Sequence, residues 1–311
     1  MRAVVLDRYG DADVLSIQRR PIPEPLPTEV RVRVAAAGVN PVDWKTRNGA
    51  GMATVLGEPP LVLGWDVSGV VDAVGRGVTR FAVGDPVFGM PWFPRQAGAY
   101  SEYVTAPSRH FAARPDELDE VAAAALPLAG LTAWQALVET ARLQAGQRVL
   151  VHAAAGGVGH LAVQIAKSRG AYVIGTAGPA RHRMLGELGL DEVINYQGTA
   201  FEQVVEPVDL VLDLVGGEVA TRSLDALRPG GLLLSVAGAA SDTAELAADR
   251  GLRVVAILVE PDGHGLEQLS ELVRAKRLRP LVERTFPLER APEAHRLSEA
   301  GHTAGKIVLT V

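Results

Sequence analysis

The stretch Gln147–Lys167, QRVLVHAAAGGVGHLAVQIAK, decides the fold of this chain. Its first part, Arg148–Ala153, is a nearly continuous apolar run, which is typical of a strand buried on both faces of a parallel sheet. A glycine-rich turn follows, and the apolar residues from Leu161 to Ala166 predict a helix after it. A strand, a glycine turn and a helix in this order form a corner that binds phosphate. Glycines let a pyrophosphate approach the backbone, and the helix N-terminus offers unpaired N–H groups.

The glycine turn matches the spacing G-x-G-x-x-G of dinucleotide-binding turns except at its first position. Ala154 stands there, and alanine is the smallest side chain that could replace glycine in such a turn. We therefore predict that the turn binds a nucleotide cofactor through Ala154, Gly156, Gly157, Val158 and Gly159.

Five more apolar segments follow the glycine turn, and a helix or loop is predicted between each and the next. They lie at Ala171–Thr176, Glu192–Asn195, Val208–Asp213, Leu232–Val236 and Leu252–Ile257. This alternation of strands and helices predicts an α/β domain built on a doubly wound parallel sheet.

Length, charge and hydropathy limit the possible classes of protein. The 311 residues are enough for two domains with a large core. The formal net charge of −5 mixes both signs without a basic stripe, which argues against a nucleic-acid partner. The longest apolar run, residues 121–131, is shorter than the ~20 residues that a membrane helix needs, and charge comes too early at the N-terminus for a signal peptide. We expect a soluble, cytoplasmic protein with no membrane partner.

The residue types that bind metals are sparse. The chain has no cysteine, which excludes disulfides and thiolate-ligated metal sites. Its seven histidines show no HExxH motif and no closely paired spacing. We therefore expect no bound zinc.

The N-terminal region predicts a small, mostly antiparallel β domain punctuated by glycines. Strands are predicted at Ala3–Leu6, Glu29–Val34, Gly64–Gly75, Gly84–Phe88 and Gly98–Val104. Prolines between residues 21 and 27 predict an extended connector. Asn40 is well placed as a helix N-cap, because Pro41 follows at the first helical position.

The composition shifts to alanine-rich helix from about Asp119, and this shift marks a domain boundary. A later helix is predicted over residues 266–276, and Lys306–Val311 predicts a final strand. That strand should return to the β domain, because the nucleotide sheet already has its strands. We therefore predict one domain from residues 1–118 and 277–311, and a second from residues 119–276.

Six motifs in this order resemble the zinc-independent quinone oxidoreductase branch of the medium-chain dehydrogenase/reductase superfamily, closest to its alkenal/alkenone reductase-like subgroup. They are Gly38–Asp43, Gly64–Gly69, Val83–Val87, Leu128–Ala133, Ala153–Gly159 and Gly305–Val308. The resemblance implies a GroES-like β domain and a Rossmann domain. Zinc-dependent relatives would carry Gly-His-Glu where this chain has Gly64-Trp65-Asp66, and a cysteine near Asn40. Both departures argue against zinc.

The second strand of the nucleotide sheet bears on the choice between NADP(H) and NAD. It ends at Thr176 without the Asp or Glu that would bond the ribose hydroxyls of NAD. Arg181 follows, and its guanidinium matches a phosphate group. The pattern favours NADP(H); the alternative is that Arg181–Arg183 is a solvated basic start of a helix.

The resemblance implies further cofactor contacts. Thr132 would reach the nicotinamide or its phosphate, and Tyr196 would pack near the adenosine phosphate or else lie on the surface at a strand end. The other implied cofactor residues stand at strand ends or beyond them: Thr176, Val215, Val236, Ala237, Gly238, Leu258 and Val259. Lys306 either helps to hold the phosphates or is a surface lysine near the C-terminus.

Candidate catalytic residues cluster in the motif after Gly38. Asn40 would bond the nicotinamide ribose or the substrate oxygen, or act only as the N-cap. Lys45 would polarise a carbonyl or relay a proton, or be an ordinary surface lysine, and Asp43 would orient the lysine or the loop. The candidate walls of the substrate pocket are Trp44, Trp65, Met90 and Trp92, of which Trp44 and Trp65 could instead be core residues.

The expected reaction is hydride transfer from NADPH to a quinone or an α,β-unsaturated ketone or aldehyde, without zinc. Donors must then face the carbonyl oxygen on which negative charge builds. Two alternatives remain: an NADPH-binding structural or regulatory protein, and an enoyl-thioester reductase. The resemblance also implies a homodimer formed through the edge strand Leu252–Ile257.

Overall fold

The computed structural model describes residues 1–311. Its strands are β1 (Arg2–Leu6), β2 (Leu15–Arg19), β3 (Glu29–Val39), β4 (Leu61–Val62), β5 (Val67–Val74), β6 (Pro86–Gly89), β7 (Tyr103–Pro107), β8 (Phe111–Ala113), β9 (Arg148–Val151), β10 (Tyr172–Thr176), β11 (Glu192–Ile194), β12 (Val208–Asp213), β13 (Leu227–Ser235), β14 (Arg253–Ala256), β15 (Val282–Pro287) and β16 (Lys306–Thr310). Its helices are α1 (Pro41–Arg47), α2 (Ala53–Leu56), α3 (Glu120–Ala124), α4 (Pro127–Trp134), α5 (Gly159–Ser168), α6 (His182–Glu187), α7 (Phe201–Val204), α8 (Glu218–Arg222), α9 (Thr243–Asp249), α10 (Gly263–Arg274) and α11 (Ala291–Glu299). A π-helix over Gln135–Thr140 continues α4.

The contacts divide the chain into two compact units. The first unit comprises Met1–Leu131, Glu260–Ala275 and Pro280–Val311, and the second comprises Thr132–Val259 and Lys276–Arg279. This division differs from the predicted boundaries at residues 277–279, which belong to the second unit, and at residues 119–131 and 260–275, which belong to the first. Both segments pack on the first unit's sheet: α3 lies against β3 and β5, and α10 lies against β8.

The second unit is built on a six-stranded sheet with the order β11-β10-β9-β12-β13-β14. Every neighbouring pair in it is parallel. The central strand β9 is buried on both faces, and Val149, Leu150 and Val151 have no exposed surface. The sheet confirms the predicted doubly wound Rossmann fold. Its strand order changes direction between β9 and β12, and ligands bind at this switch point in such sheets.

The first unit contains a seven-stranded and a three-stranded sheet, which together confirm the mostly antiparallel β domain. The larger sheet has the order β15-β16-β3-β5-β6-β8, with β7 also paired to β3, and the smaller has the order β2-β1-β4. Strand β16 pairs antiparallel with β3, Ile307 opposite Val39, so the C-terminal strand does return to this domain. The same pairing explains why β3 extends five residues past its predicted end at Val34. Its second half is an unalternating apolar run that β16 covers.

No helix of the protein is long and apolar enough to cross a membrane.

Candidate functional site

The glycine turn of the second unit connects β9 to the ten-residue helix α5. The Ala154 amide donates to Thr176 O at 3.0 Å, and the Gly156 amide donates to Ala153 O at 2.9 Å. A Cβ added at Gly159 would lie 2.3 Å from Ala153 O, so only glycine fits there. Gly157 and Val158 are partly exposed at the start of α5. This cradle of bare backbone at a helix N-terminus fits a pyrophosphate.

Ala154, predicted to bind the cofactor, faces inward. Its side chain has no exposed surface, and its Cβ would lie 2.7 Å from a Cβ added at Gly175 in β10. Alanine therefore replaces the first glycine of the fingerprint because its methyl group packs against the neighbouring strand.

A buried histidine that the sequence analysis passed over holds the turn in place. The Ser223 hydroxyl donates to Val219 O at 2.6 Å and so accepts from His152 Nε2, 2.9 Å away. His152 Nδ1 then accepts from the Thr176 hydroxyl at 3.2 Å, and Thr176 Oγ1 accepts from the Ala153 amide at 3.2 Å. Thr176, predicted as a cofactor residue, thus uses its hydroxyl inside the unit. This series of hydrogen bonds ends on the amide of Ala153 and holds that residue in a left-handed conformation with φ 47°.

His152 should make the protein sensitive to acid. Burial, assisted by the charge of Arg222, lowers the pKa of His152 from 6.5 to about 4. Between pH 6.5 and about 4, His152 binds a proton in the unfolded state but stays neutral in the folded state. The free energy of unfolding therefore decreases as the pH falls from 6.5 towards 4. We expect His152→Gln to flatten this part of the pH dependence of the free energy of unfolding, measured by urea titration. His264→Gln, at an exposed histidine, should leave the slope unchanged; equal slopes in wild type and His152→Gln would contradict the prediction.

The ends of β10 and β11 bring two predicted cofactor residues to one edge of the sheet. Thr176 and Ile194 end these parallel strands in register. Arg181 follows the first strand end and is partly exposed, whereas Tyr196 follows the second and is 54% exposed. No carboxylate stands between Thr176 and Arg181.

The ends of β12, β13 and β14 complete this edge. Asp213 is buried, and its Oδ1 accepts from the amides of Val215 and Gly216, each at 3.0 Å. This carboxylate shapes the turn that carries the predicted residue Val215, a role the sequence analysis did not assign. The remaining predicted residues lie beyond the strand ends: Val236, Ala237 and Gly238 after β13, and Leu258 and Val259 after β14.

Exposure separates these residues into two groups. Val215 and Leu258 are 50% and 58% exposed, so both apolar side chains are accessible to a ligand. Val259 and Thr132 are buried, at 5% and 3%. Of the predicted cofactor residues, Val215, Leu258 and Val259 therefore lie beyond strand ends at the carboxyl edge of the sheet, whereas Thr132 is a buried residue of α4.

The first unit holds a buried polar cluster of Asn40, Asp66 and Lys306, which are 2%, 0% and 3% exposed. Asn40 Nδ2 donates to Asp66 Oδ2 at 2.8 Å, and the Lys306 ammonium donates to the same oxygen at 3.1 Å and to Asn40 Oδ1. The Leu128 amide donates to Asp66 Oδ1 at 2.6 Å. The alternative that Lys306 is a surface lysine is therefore wrong. It opens β16, a strand paired on both sides, and its side chain points into the unit.

Asp43 lies in the first turn of α1 and is also fully buried. Its Oδ2 accepts from the Asn40 amide at 2.6 Å and from the Tyr100 hydroxyl at 2.8 Å. Its Oδ1 has no hydrogen-bond partner. Burial raises the pKa of Asp43 from 3.8 to about 7, against the opposing effect of these two hydrogen bonds. A carboxyl group in this state can hold or release a proton near neutral pH.

Lys45 does not join this arrangement. The polar partners of Asp43 do not include it, and its ammonium lies 5.8 Å from the ring centroid of Trp44. Of the two roles expected for Asp43, orienting the lysine or the loop, its contacts agree with the second, because its carboxylate accepts from the Asn40 amide and caps the start of its own helix. Trp44 is half-buried, and its indole N–H is buried without a partner.

The other predicted wall residues are mostly interior. Trp65 and Met90 are 1% and 0% exposed; both are core residues in this structure and form no accessible wall. The indole of Trp65 donates to Arg95 O at 2.7 Å. Trp92 is half-buried, adopts a left-handed φ of 58°, and donates from its indole to Thr105 O at 2.8 Å. These two indoles anchor the loop between β6 and β7.

No group of three or more His, Cys, Asp or Glu side chains is placed to hold a metal ion.

A six-stranded nucleotide sheet and a GroES-like β domain define a class of two-domain dehydrogenases, and comparisons with known proteins agree. Residues 26–116 match the model of the alcohol dehydrogenase GroES-like domain, and residues 188–309 match that of a zinc-binding dehydrogenase. The chain belongs to the medium-chain dehydrogenase/reductase superfamily, whose members are oxidoreductases that typically bind a nicotinamide cofactor.

Three similar proteins span essentially the whole chain. The mitochondrial NAD(P)H oxidoreductase RTN4IP1 of Danio rerio is 34% identical over 100% of this chain and 91% of its own length. A 2-haloacrylate reductase of Burkholderia sp is 35% identical over 99% of this chain and 98% of its own. The structure of the quinone oxidoreductase from Coxiella burnetii has a TM-score of 0.94 and 40% identity, and covers 100% of this chain and 99% of that one.

Proposed function

We propose that this protein is a zinc-independent, NADPH-dependent reductase of quinones or of carbon–carbon double bonds conjugated to a carbonyl group. The observation that carries the proposal is the carboxyl edge of the sheet. The turn after β9 accepts only glycine at Gly159, Arg181 follows the end of β10, and no Asp or Glu occurs in the sequence between Thr176 and Arg181. The names of the similar reductases, one of haloacrylate and one of quinones, support the substrate class. Asn40 and Trp65, where zinc-dependent relatives would carry cysteine and histidine, support the absence of zinc.

The second unit would hold the cofactor. Gly156–Gly159 would receive the pyrophosphate at the start of α5, and Arg181 would bind the 2′-phosphate. Val215 and Leu258, which are exposed and apolar, would pack against its flat rings. The bound cofactor would supply the hydride, which is the difficult part of the chemistry.

The first unit would stabilise the charge that builds on the substrate oxygen. The side-chain nitrogen of Asn40, Nδ2, carries two protons, and one of them is donated to Asp66. The second proton remains for a ribose hydroxyl or a carbonyl oxygen. Lys306 bonds Asn40 Oδ1 and so polarises the amide towards donation.

A substrate panel tests the proposal. Purified protein would be mixed with NADPH, or with NADH, and with quinones, short alkenals, alkenones or an enoyl thioester, and cofactor absorbance followed over time. We expect turnover of quinones or alkenones with NADPH. Tight NADPH binding without turnover of any compound would overturn the proposal and favour a cofactor-binding structural or regulatory protein.

The choice of cofactor is tested by Arg181→Ala. Loss of a guanidinium that binds the 2′-phosphate should raise the KM for NADPH at least about tenfold, the equivalent of about 1.4 kcal/mol. The KM for NADH, which has no 2′-phosphate, should change by less than about threefold. Arg183→Ala is the matched control, because Arg183 is two residues away, 92% exposed and paired with Glu187. Equal losses for both cofactors in Arg181→Ala would contradict the assignment.

A further inference from the structure

A chain of hydrogen bonds in the first unit ends on Asp43. Arg47 Nη1 lies 3.5 Å from His295 Nδ1, and because a guanidinium only donates, Nδ1 accepts and the proton sits on Nε2. His295 Nε2 lies 3.3 Å from the Tyr100 hydroxyl oxygen and donates to it. The Tyr100 hydroxyl then donates to Asp43 Oδ2 at 2.8 Å. Every donor in the chain therefore points towards the carboxylate.

Burial and charge fix the direction in which these hydrogen bonds donate. Arg47, His295 and Tyr100 have no exposed surface. Burial and the Arg47 charge lower the pKa of His295 to about 3, so the ring stays neutral. Burial and Asp43 raise the pKa of Tyr100 well above its usual value, so its hydroxyl stays protonated. Arg47 itself is held by Glu299, at 2.9 Å, at the surface end of the chain.

Asp43 is the one member of this chain that can change its protonation state near neutral pH. Its Oδ2 is already occupied by the Asn40 amide and by Tyr100. Its Oδ1 is buried without a partner and is the oxygen on which a proton would sit. The fixed donors therefore select which oxygen remains basic.

We propose that Tyr100 and His295 are positioning residues that set the protonation of Asp43, and with it the net charge of Asp43 and the adjoining Asn40–Asp66–Lys306 cluster taken together. The inference rests on the proposed function, in which that cluster faces a developing negative charge. With Asp43 protonated, the charges of Asp66 and Lys306 balance. With Asp43 ionised, Asp43 and the cluster together carry one net negative charge, which opposes the build-up of negative charge on the substrate oxygen. Activity should therefore fall as Asp43 ionises.

The other charged groups around Asp43 act in known directions. The charge of Asp66 raises the pKa of Asp43, and that of Lys306 lowers it. On its own helix, Lys45 and Arg47 are the charged residues, and Arg47 is paired outwards with Glu299. From the loop before β7 and from α11, the groups that face Asp43 are Tyr100 and, behind it, His295.

A direct titration tests the inference without any substrate. Protein labelled with ¹³C at aspartate carboxyl carbons would be titrated by NMR, with Asp43→Asn used to assign the signal. We expect a midpoint of about 7 in the wild type. Tyr100→Phe should raise it, because the anion loses a donor, and His295→Gln should raise it less. Tyr103→Phe is the matched control, since Tyr103 contacts Arg31 instead, and should leave the midpoint unchanged.

The double variant Tyr100→Phe/His295→Gln separates a positioning role from a general electrostatic one. If His295 acts through Tyr100, His295→Gln has no further effect once the hydroxyl is gone. An equal shift in both backgrounds would overturn the inference. So would a wild-type titration in which every aspartate signal titrates with the exposed carboxylates, a result that requires no variant to fold.

Enzyme kinetics provide the second readout. With a substrate from the panel, kcat/KM of the wild type should fall as the pH rises through about 7, and Tyr100→Phe should move this fall to higher pH by the same amount as the NMR midpoint. If the protein turns over substrate but the pH at which kcat/KM falls does not shift with the NMR midpoint of Asp43, the inference is overturned. Absence of any turnover would instead overturn the proposed function, while the NMR titration would still decide how Asp43 is protonated.

Discussion

Replacement of Lys306 by methionine is expected to lower the free energy of unfolding by about 3 to 5 kcal/mol, the range for breaking a buried ion pair from one side. Asp66 has no exposed surface and would keep only the Asn40 and Leu128 donors. Its charge would then be buried without a counter-charge. Urea unfolding followed by tryptophan fluorescence suits this test, because Trp44, Trp65 and Trp92 all lie in the first unit with Lys306.

Two further variants show whether the effect comes from the ion pair. Lys276→Met removes an exposed lysine and should change stability by less than about 0.5 kcal/mol. The double variant Asp66→Asn/Lys306→Met should be more stable than the sum of the two single changes predicts, since a neutral amide needs no counter-charge. A Lys306→Met protein as stable as Lys276→Met would show that the pair contributes nothing.

Gly159→Ala is expected to give the second large effect, on stability and on the cofactor together. The new Cβ would lie 2.3 Å from Ala153 O and 2.7 Å from Ala154 Cα. Both are backbone atoms, so the turn itself must shift. We expect a loss of about 1 to 3 kcal/mol in stability, as for overpacked sites. We also expect NADPH to bind at least about tenfold more weakly, equivalent to about 1.4 kcal/mol, measured by the fluorescence of bound NADPH.

Gly186→Ala is the matched control for this substitution. Gly186 is also helical, within α6, but an added Cβ there meets nothing within 4 Å. Alanine should therefore stabilise the helix by up to about 1 kcal/mol and leave NADPH binding unchanged. If Gly159→Ala bound NADPH as tightly as Gly186→Ala, the turn could not be the pyrophosphate site.

The sequence was sufficient for the parts of the fold that depend on local pattern. The apolar run at β9, the glycine turn and the α5 helix form one continuous segment, and their order alone predicts the nucleotide corner. The return of β16 to the first unit could also be predicted, because the nucleotide sheet was already complete. The short strands β2, β4 and β8 were not predicted from the sequence.

The candidate site divides in the same way. Gly159 and Arg181 were predicted as cofactor-binding residues because each follows closely after the end of a predicted strand. Lys306 was assigned to the phosphates or to the surface, with no means of deciding that it is buried. Its partners Asn40 and Asp66 stand 266 and 240 residues earlier in the chain. Nothing in the sequence of the last strand marks that pairing.

The sequence by itself therefore determined the nucleotide fold, the glycine turn and Asp43 as a candidate site residue, because each rests on residues near one another in the chain. Tertiary structure alone decided what surrounds them. Tyr100 and His295 are 195 residues apart, and they meet only because α11 packs against the β domain. Protonation, ion pairing and the choice of hydrogen-bond partner depend on burial and distance in space. A linear pattern contains neither, which is why Asp43 could be named from the sequence as a candidate residue, but neither its environment nor its protonation could be predicted.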